Sequence, residues 1–129
     1  MPLINIDVIR GRTPGELQVL LDSVHSAMVE ALEVPDTDRY QILTQHDPNE
    51  MIALDTGLGI ERSQALTVLR FISRQRPAEA KEKLYRLLAT RLQENCGTSP
   101  QDLIVSVAEN EAADWSFGNG RAQFLTGEL

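Results

Sequence analysis

The chain has 129 residues, is 42% hydrophobic and 24% charged, and carries a net charge of −7 with a single cysteine. That length gives one domain able to bury about two-thirds of its unfolded surface, and the acidic balance argues against a nucleic-acid binder or a protein that docks on anionic lipid. Cys96 alone can form neither an internal disulfide nor a zinc site, and with no signal peptide and no membrane-spanning apolar run the expectation is a soluble cytoplasmic protein.

Residues 3–9 alternate around Ile4, Ile6 and Val8, the period of a half-buried strand. Thr13 then reads as a helix N-cap, with Pro14 at the first helical position and Glu16 completing a capping box. The helix carries Leu17, Leu20, Leu21, Val24, Met28, Ala31 and Leu32 on one face. Residues 34–38 form a polar break, and residues 39–46 read as a second strand. Strand, helix and strand make one βαβ unit with parallel strands and a right-handed crossover.

Residues 47–64 form a polar, glycine-bearing link in which residues 51–54 suggest a short extra strand. The second half then repeats the first. Its strand is 65–72, its helix opens at Pro77 and buries Ala80, Leu84, Leu87, Leu88 and Leu92, Gly97 stops it, and 103–108 is the closing strand. Adding 63 to the first unit lands on the second: Pro14 maps to Pro77, Glu16 to Glu79, Leu21 to Leu84 and Ile42 to Val105. Residues 109–129, with Trp115, Phe117, Phe124 and Leu129 among glycines, form an arm or lid without helical period. The reading is a single α/β domain over 1–129: a first βαβ unit at 1–46, the link at 47–64, a second unit at 65–108 and the C-terminal arm. Its architecture is a two-layer α+β sandwich in which both units share one four-stranded mixed sheet with two helices on one face.

A pseudo-two-fold that sets the inner strands antiparallel brings three distant segments to one sheet edge. The start of the first strand, at Pro2, meets the start of the second, at Asp38, and the end of the third, at Arg74 and Arg76. Two arginines spaced i and i+2 in extended chain point to one side and suit a planar carboxylate. If Met1 is removed, Pro2 carries a free secondary amine, which titrates near ~8 when unperturbed and can serve as acid or base at neutral pH. Neighbouring arginines favour its neutral form, and Asp38 favours the cation. Taken singly, a proline after methionine is common, and a basic turn is usually just solvated.

Together, Pro2, the duplicated βαβ, Asp38-Arg39-Tyr40-Gln41 and Arg74-Gln75-Arg76 resemble the tautomerase superfamily, and within it the malonate semialdehyde decarboxylases. Gln45-His46, residues 55–59, Glu109-Asn110, residues 113–118 and residues 124–127 add to a likeness that covers essentially the whole chain. The resemblance implies a homotrimer without cofactor or metal, acting on a small carboxylate substrate. Pro2 would be the catalytic amine and Asp38 its carboxylate partner. Arg74 and Arg76 would grip the substrate carboxylate, and Trp115, Phe117, Phe124 and Leu129 would wall the pocket. The implied reaction converts malonate semialdehyde to acetaldehyde and CO2. The same residues could run keto–enol tautomerisation of a phenylpyruvate-like acid with Pro2 neutral, or hydrate an unsaturated or halogenated acid through a water held by Asp38. A catalytically silent trimeric interaction module is the reading from another class.

The remaining polar residues are read as structural. His25 flanks the first helix, His46 ends the second strand, and Cys96 is a small buried apolar group. Gly57-Leu58-Gly59 lacks the context of a phosphate loop. Arg70, inside the third strand, is a candidate contact to a neighbouring subunit.

Overall fold

The computed structural model describes residues 2–129, so expectations about Met1 lie outside the described residues. Strands β1 (Leu3–Ile9), β2 (Gln41–His46), β3 (Thr67–Arg74) and β4 (Leu103–Asn110) form one sheet in the order β2-β1-β3-β4. Helices α1 (Pro14–Leu32) and α2 (Ala78–Cys96) lie on one face of it, and a short α3 (Gln123–Thr126) sits in the C-terminal arm. Within each unit the strands are parallel, and β1 meets β3 antiparallel. Ile6 pairs with Leu69, its own counterpart 63 residues on, so the pseudo-two-fold passes through that pair.

Alternation decides which face is covered. Ile4, Ile6 and Val8 of β1 and Leu69 and Phe71 of β3 point to the helices and are wholly or almost wholly buried. Against them pack Leu20, Val24, Ala27 and Met28 of α1 and Leu84, Leu88 and Leu92 of α2. Each of these side chains larger than alanine contributes about 1.5–3 kcal/mol of burial, which is what fixes the strand register. The intervening side chains, among them Ile42 and Arg70, lie on the opposite, uncovered sheet face.

Helix ends follow the sequence at α1 and depart from it at α2. Thr13 Oγ1 accepts the Glu16 N–H at 3.2 Å while Glu16 Oε1 accepts the Thr13 N–H at 2.9 Å, the reciprocal capping box. Pro77 is the N-cap of α2 rather than its first helical residue, and it has no side-chain cap. Gly97 ends α2 in the left-handed region at φ 67°, where a side chain is strained.

Four boundaries differ from expectation. Strand β3 runs Thr67–Arg74 rather than 65–72, because Ser73 and Arg74 pair with Glu109 and Asn110, and this pairing also lengthens β4 to Asn110. Strand β2 begins at Gln41 rather than at residue 39, although the Tyr40 carbonyl still takes the Ile4 N–H. No strand forms at 51–54: a 3₁₀ turn, Pro48–Glu50, is followed by irregular chain with Ile52 and Leu54 86% and 81% exposed. Those alternating side chains find no partner strand among the described residues.

Candidate functional site

The antiparallel pairing of β1 with β3 places Leu3 opposite Ile72, so Pro2, buried just before β1, stands at the level of Ser73. The parallel pairing with β2, sealed by Ile4 N–H on the Tyr40 carbonyl at 2.9 Å, brings residues 38–40 to the same end. Asp38 is 4% exposed, and its backbone N–H is turned onto the Pro35 carbonyl. The loop carrying it is held to α1 by His25, which is buried with Nε2 2.8 Å from the Asp36 carbonyl. His25 is therefore more than a helix-flank residue: it shapes the approach to Asp38. Burial pushes the Asp38 carboxyl above the ordinary aspartate range, and the positive charge of Arg76 opposes that push.

The two arginines take different postures. Strand β3 ends at Arg74, so the alternation expected to place both guanidinium groups on one side does not extend to Arg76. Arg76 is half-buried, donating from Nη1 to the Leu32 carbonyl at 3.1 Å and from Nε to Ser73 Oγ at 3.4 Å. It thus sits at the C-terminal end of α1, whose last turn has no basic residue of its own, where a cation complements the helix dipole. Its backbone N–H donates to Glu109 Oε2 at 2.7 Å. Arg74 is exposed, with its guanidinium 4.4 Å from the centroid of the Phe124 ring, and its side chain makes no hydrogen bond or ion pair among the described residues.

The arm supplies an aromatic cluster. Phe117 stacks on Trp115 at 5.3 Å, meets Phe124 edge-on at 5.6 Å and lies 5.5 Å from the Tyr40 ring. Gln123 braces it, accepting the Phe117 N–H and donating to the Gly118 carbonyl, both at 2.9 Å. Trp115 Nε1–H donates to Asn110 Oδ1 at 2.7 Å. Of the expected walls, Trp115, Phe117 and Phe124 come together beside Arg74, whereas Leu129 is 57% exposed and donates its N–H to the Gln123 carbonyl. Sequence reasoning missed Tyr40, Glu109, Asn110 and Gln123 as parts of this assembly. The pairing of 73–74 with 109–110 is the register that would have found two of them.

The other polar residues stay away from this end. His46 and Arg70 both bind Asp7 on the open sheet face, at 2.8 and 2.9 Å. Asp55 accepts the N–H groups of Gly57 and Gly59, so that loop turns its amides onto its own carboxylate. Cys96 is half-buried, and burial raises its thiol.

Two family models, both described as tautomerase enzyme, match residues 38–118 and residues 2–60. A Bacillus subtilis protein named probable tautomerase YrdN is 55% identical over the full length of both chains, and probable tautomerase YusQ of the same organism is 36% identical over 97% of this chain and 99% of its own. Among solved structures, a malonate semialdehyde decarboxylase described for its decarboxylase and hydratase activities is 52% identical, with a TM-score of 0.97 over 98% of each chain. A second, FG41 malonate semialdehyde decarboxylase inhibited by 3-bromopropiolate, is 39% identical with a TM-score of 0.95, covering 98% of this chain and 97% of its own. With the duplicated βαβ sandwich and these matches along its whole length, the chain belongs to the tautomerase superfamily and stands close to its malonate semialdehyde decarboxylases.

Proposed function

We propose that the protein is a cofactor-independent decarboxylase of a 3-oxo acid, converting malonate semialdehyde to acetaldehyde and CO2. The observation that carries this reading is the likeness over nearly the whole chain to a malonate semialdehyde decarboxylase. The gathering of Pro2, residues 38–40 and the end of β3 at one end of the sheet, with the aromatic arm beside Arg74, supports it. With Met1 removed, the Pro2 amine, kept protonated beside Asp38, donates a charge-assisted hydrogen bond to the aldehyde oxygen. Breaking the bond to the carboxylate releases CO2 and leaves its electron pair as an enolate, which the prolinium stabilises. A proton from solvent water, added at the enolate carbon, then gives acetaldehyde. Arg76, fixed against α1, and Arg74, able to leave the Phe124 ring, hold the substrate carboxylate so that the breaking bond stands perpendicular to the carbonyl plane. Trp115, Phe117, Phe124 and Leu129 form the apolar wall that favours departure of neutral CO2.

The working unit is a homotrimer. The uncovered sheet face with Ile42, and the link with its exposed Ile52, Leu54 and Leu58, provide apolar surface that a second copy would cover. Purified protein releases acetaldehyde from malonate semialdehyde, and Pro2→Ala and Arg76→Ala each remove most of that activity while the trimer persists in size-exclusion chromatography. Full activity in both variants ends the proposal. A second reading, keto–enol tautomerisation of a phenylpyruvate-like acid, is favoured by the names of the two Bacillus subtilis relatives. It requires a neutral Pro2. Phenylpyruvate enol is assayed alongside, and ketonisation without acetaldehyde release selects it.

A further inference from the structure

We propose that Glu109 and Asn110, adjacent at the end of β4, are positioning residues that set the two halves of the site, Glu109 the arginine turn and Asn110 the aromatic wall. Successive strand residues point to opposite faces. Leu103, Val105 and Val107 face the helices, so Glu109 does too, and Asn110 faces the open side with Arg74, its partner across the ladder. One dipeptide therefore reaches both layers.

On the helix side, Glu109 Oε2 accepts the Arg76 N–H at 2.7 Å and lies 3.4 Å from Lys81 Nζ at the first turn of α2. The duplication shows what this bond replaces. The counterpart of Arg76 is Thr13, since 13 plus 63 is 76, and the Thr13 N–H is accepted by Glu16 from inside its own helix. Glu79 stands where Glu16 stands, yet the acceptor on Arg76 comes from β4. The turn that carries the guanidinium is thereby locked to the sheet rather than to its helix. On the open side, Asn110 Oδ1 takes the indole N–H of Trp115, the residue stacked on Phe117. Without that acceptor, the indole has no hydrogen bond to fix its rotation about the arm.

This inference rests on the carboxylate-binding reading of the site, and its test separates the two. Trp115 is the chain's only tryptophan, so its fluorescence reports the wall directly. Malonate serves as the carboxylate probe by calorimetry, with circular dichroism checking that each variant is folded. Glu109→Ala weakens malonate binding and raises KM for malonate semialdehyde by about tenfold, the loss of one charge-assisted hydrogen bond. Glu109→Gln, which keeps an acceptor oxygen, stays within about threefold of wild type. Glu109→Ser replaces the alanine variant if that one is insoluble. Asn110→Ala raises the acrylamide quenching constant of Trp115 about twofold, and in a Trp115→Phe background it weakens malonate binding no further.

Equal damage from the alanine and glutamine variants, or unchanged quenching in Asn110→Ala, overturns the positioning roles. Additive losses in the double variant overturn the Asn110 role as well. A wild type that binds malonate but releases no acetaldehyde overturns the decarboxylase reading and leaves the positioning roles standing.

Discussion

The chain builds the same strand-to-helix turn twice, at 10–14 after β1 and at 73–77 across the end of β3, and the copies do different things. In the first, Thr13 and Glu16 close a capping box, and Arg12 is folded inward, donating from Nη2 to the Ala65 carbonyl and to Thr67 Oγ1, both at 3.2 Å. In the second, an arginine replaces the capping threonine, and the helix opens one residue later relative to the repeat, on Pro77 without a side-chain cap. Its first intrahelical bonds, from Ala80 and Lys81, go to the Pro77 carbonyl, where Leu17 in the first copy reaches back to Thr13. One copy of the turn stabilises its helix. The other gives up that stabilisation and carries Arg76, whose charge acts on Asp38.

The most direct way to break this contrast is to write the first turn into the second. Arg76→Thr recreates Thr-Pro-x-Glu ahead of α2. The variant loses at least about 100-fold in kcat/KM for decarboxylation, the scale of removing one preorganised charge-stabilising donor. Its thermal midpoint moves by only a few degrees, because a new cap contributes about 1 kcal/mol against the lost bonds to Leu32 and Ser73. A collapse in stability would mean that Arg76 is chiefly a structural cation at the end of α1. The mirror experiment is Arg12→Ala. It costs about 1–2 kcal/mol in urea denaturation, since the Ala65 carbonyl and Thr67 hydroxyl each lose a donor, while kcat/KM stays within about threefold.

Much of this division is legible in the sequence, because it is local. The box at Thr13 needs only residues three apart, and the duplication needs only the shared spacing of Pro14 with Pro77 and Ile42 with Val105. The end of β3 was not legible in the same way. Ser73 and Arg74 are polar and precede a proline, so they read as turn, yet pairing with Glu109 and Asn110 carries the strand two residues further. That is a tertiary decision over 36 residues of separation, and the Arg76 bond to Glu109 follows from it. Residues 51–54 show the opposite failure: an alternating apolar pattern describes a surface awaiting a partner, and within this chain none arrives. That Pro2, residues 38–40 and the end of β3 share one end of the sheet was legible because it follows from topology alone, whereas the divergence of Arg74 toward Phe124 depends on where the arm folds.

Thr13→Ala sharpens the comparison at a smaller scale. It removes the hydroxyl that accepts the Glu16 N–H and costs about 1 kcal/mol of stability, read as a lower urea midpoint at unchanged slope. Alanine at Pro77, already uncapped, has no side-chain cap to lose. Equal losses at the two positions would mean that the caps do not distinguish the turns.

The smallest effect concerns the two glutamates that serve the paired N–H groups of Thr13 and Arg76. Each carboxyl is held below its ordinary value of 4.5 chiefly by a backbone N–H, Thr13's for Glu16 and Arg76's for Glu109, with Lys81 adding to the pull on Glu109. A carboxyl lowered in the folded state binds its proton more readily when unfolded, so its contribution is complete above that ordinary value and is lost as pH falls through the lower folded one. The stability difference between wild type and Glu109→Gln is therefore flat from pH 7 down to about 5 and shrinks below pH 4.5. Both residues are exposed enough for salt to shrink it as well, Glu109 the more so, because part of its pull comes from Lys81 rather than from a backbone dipole. A difference that widens on acidification would show that the Glu109 carboxyl is raised rather than lowered, and would detach it from the Arg76 N–H altogether.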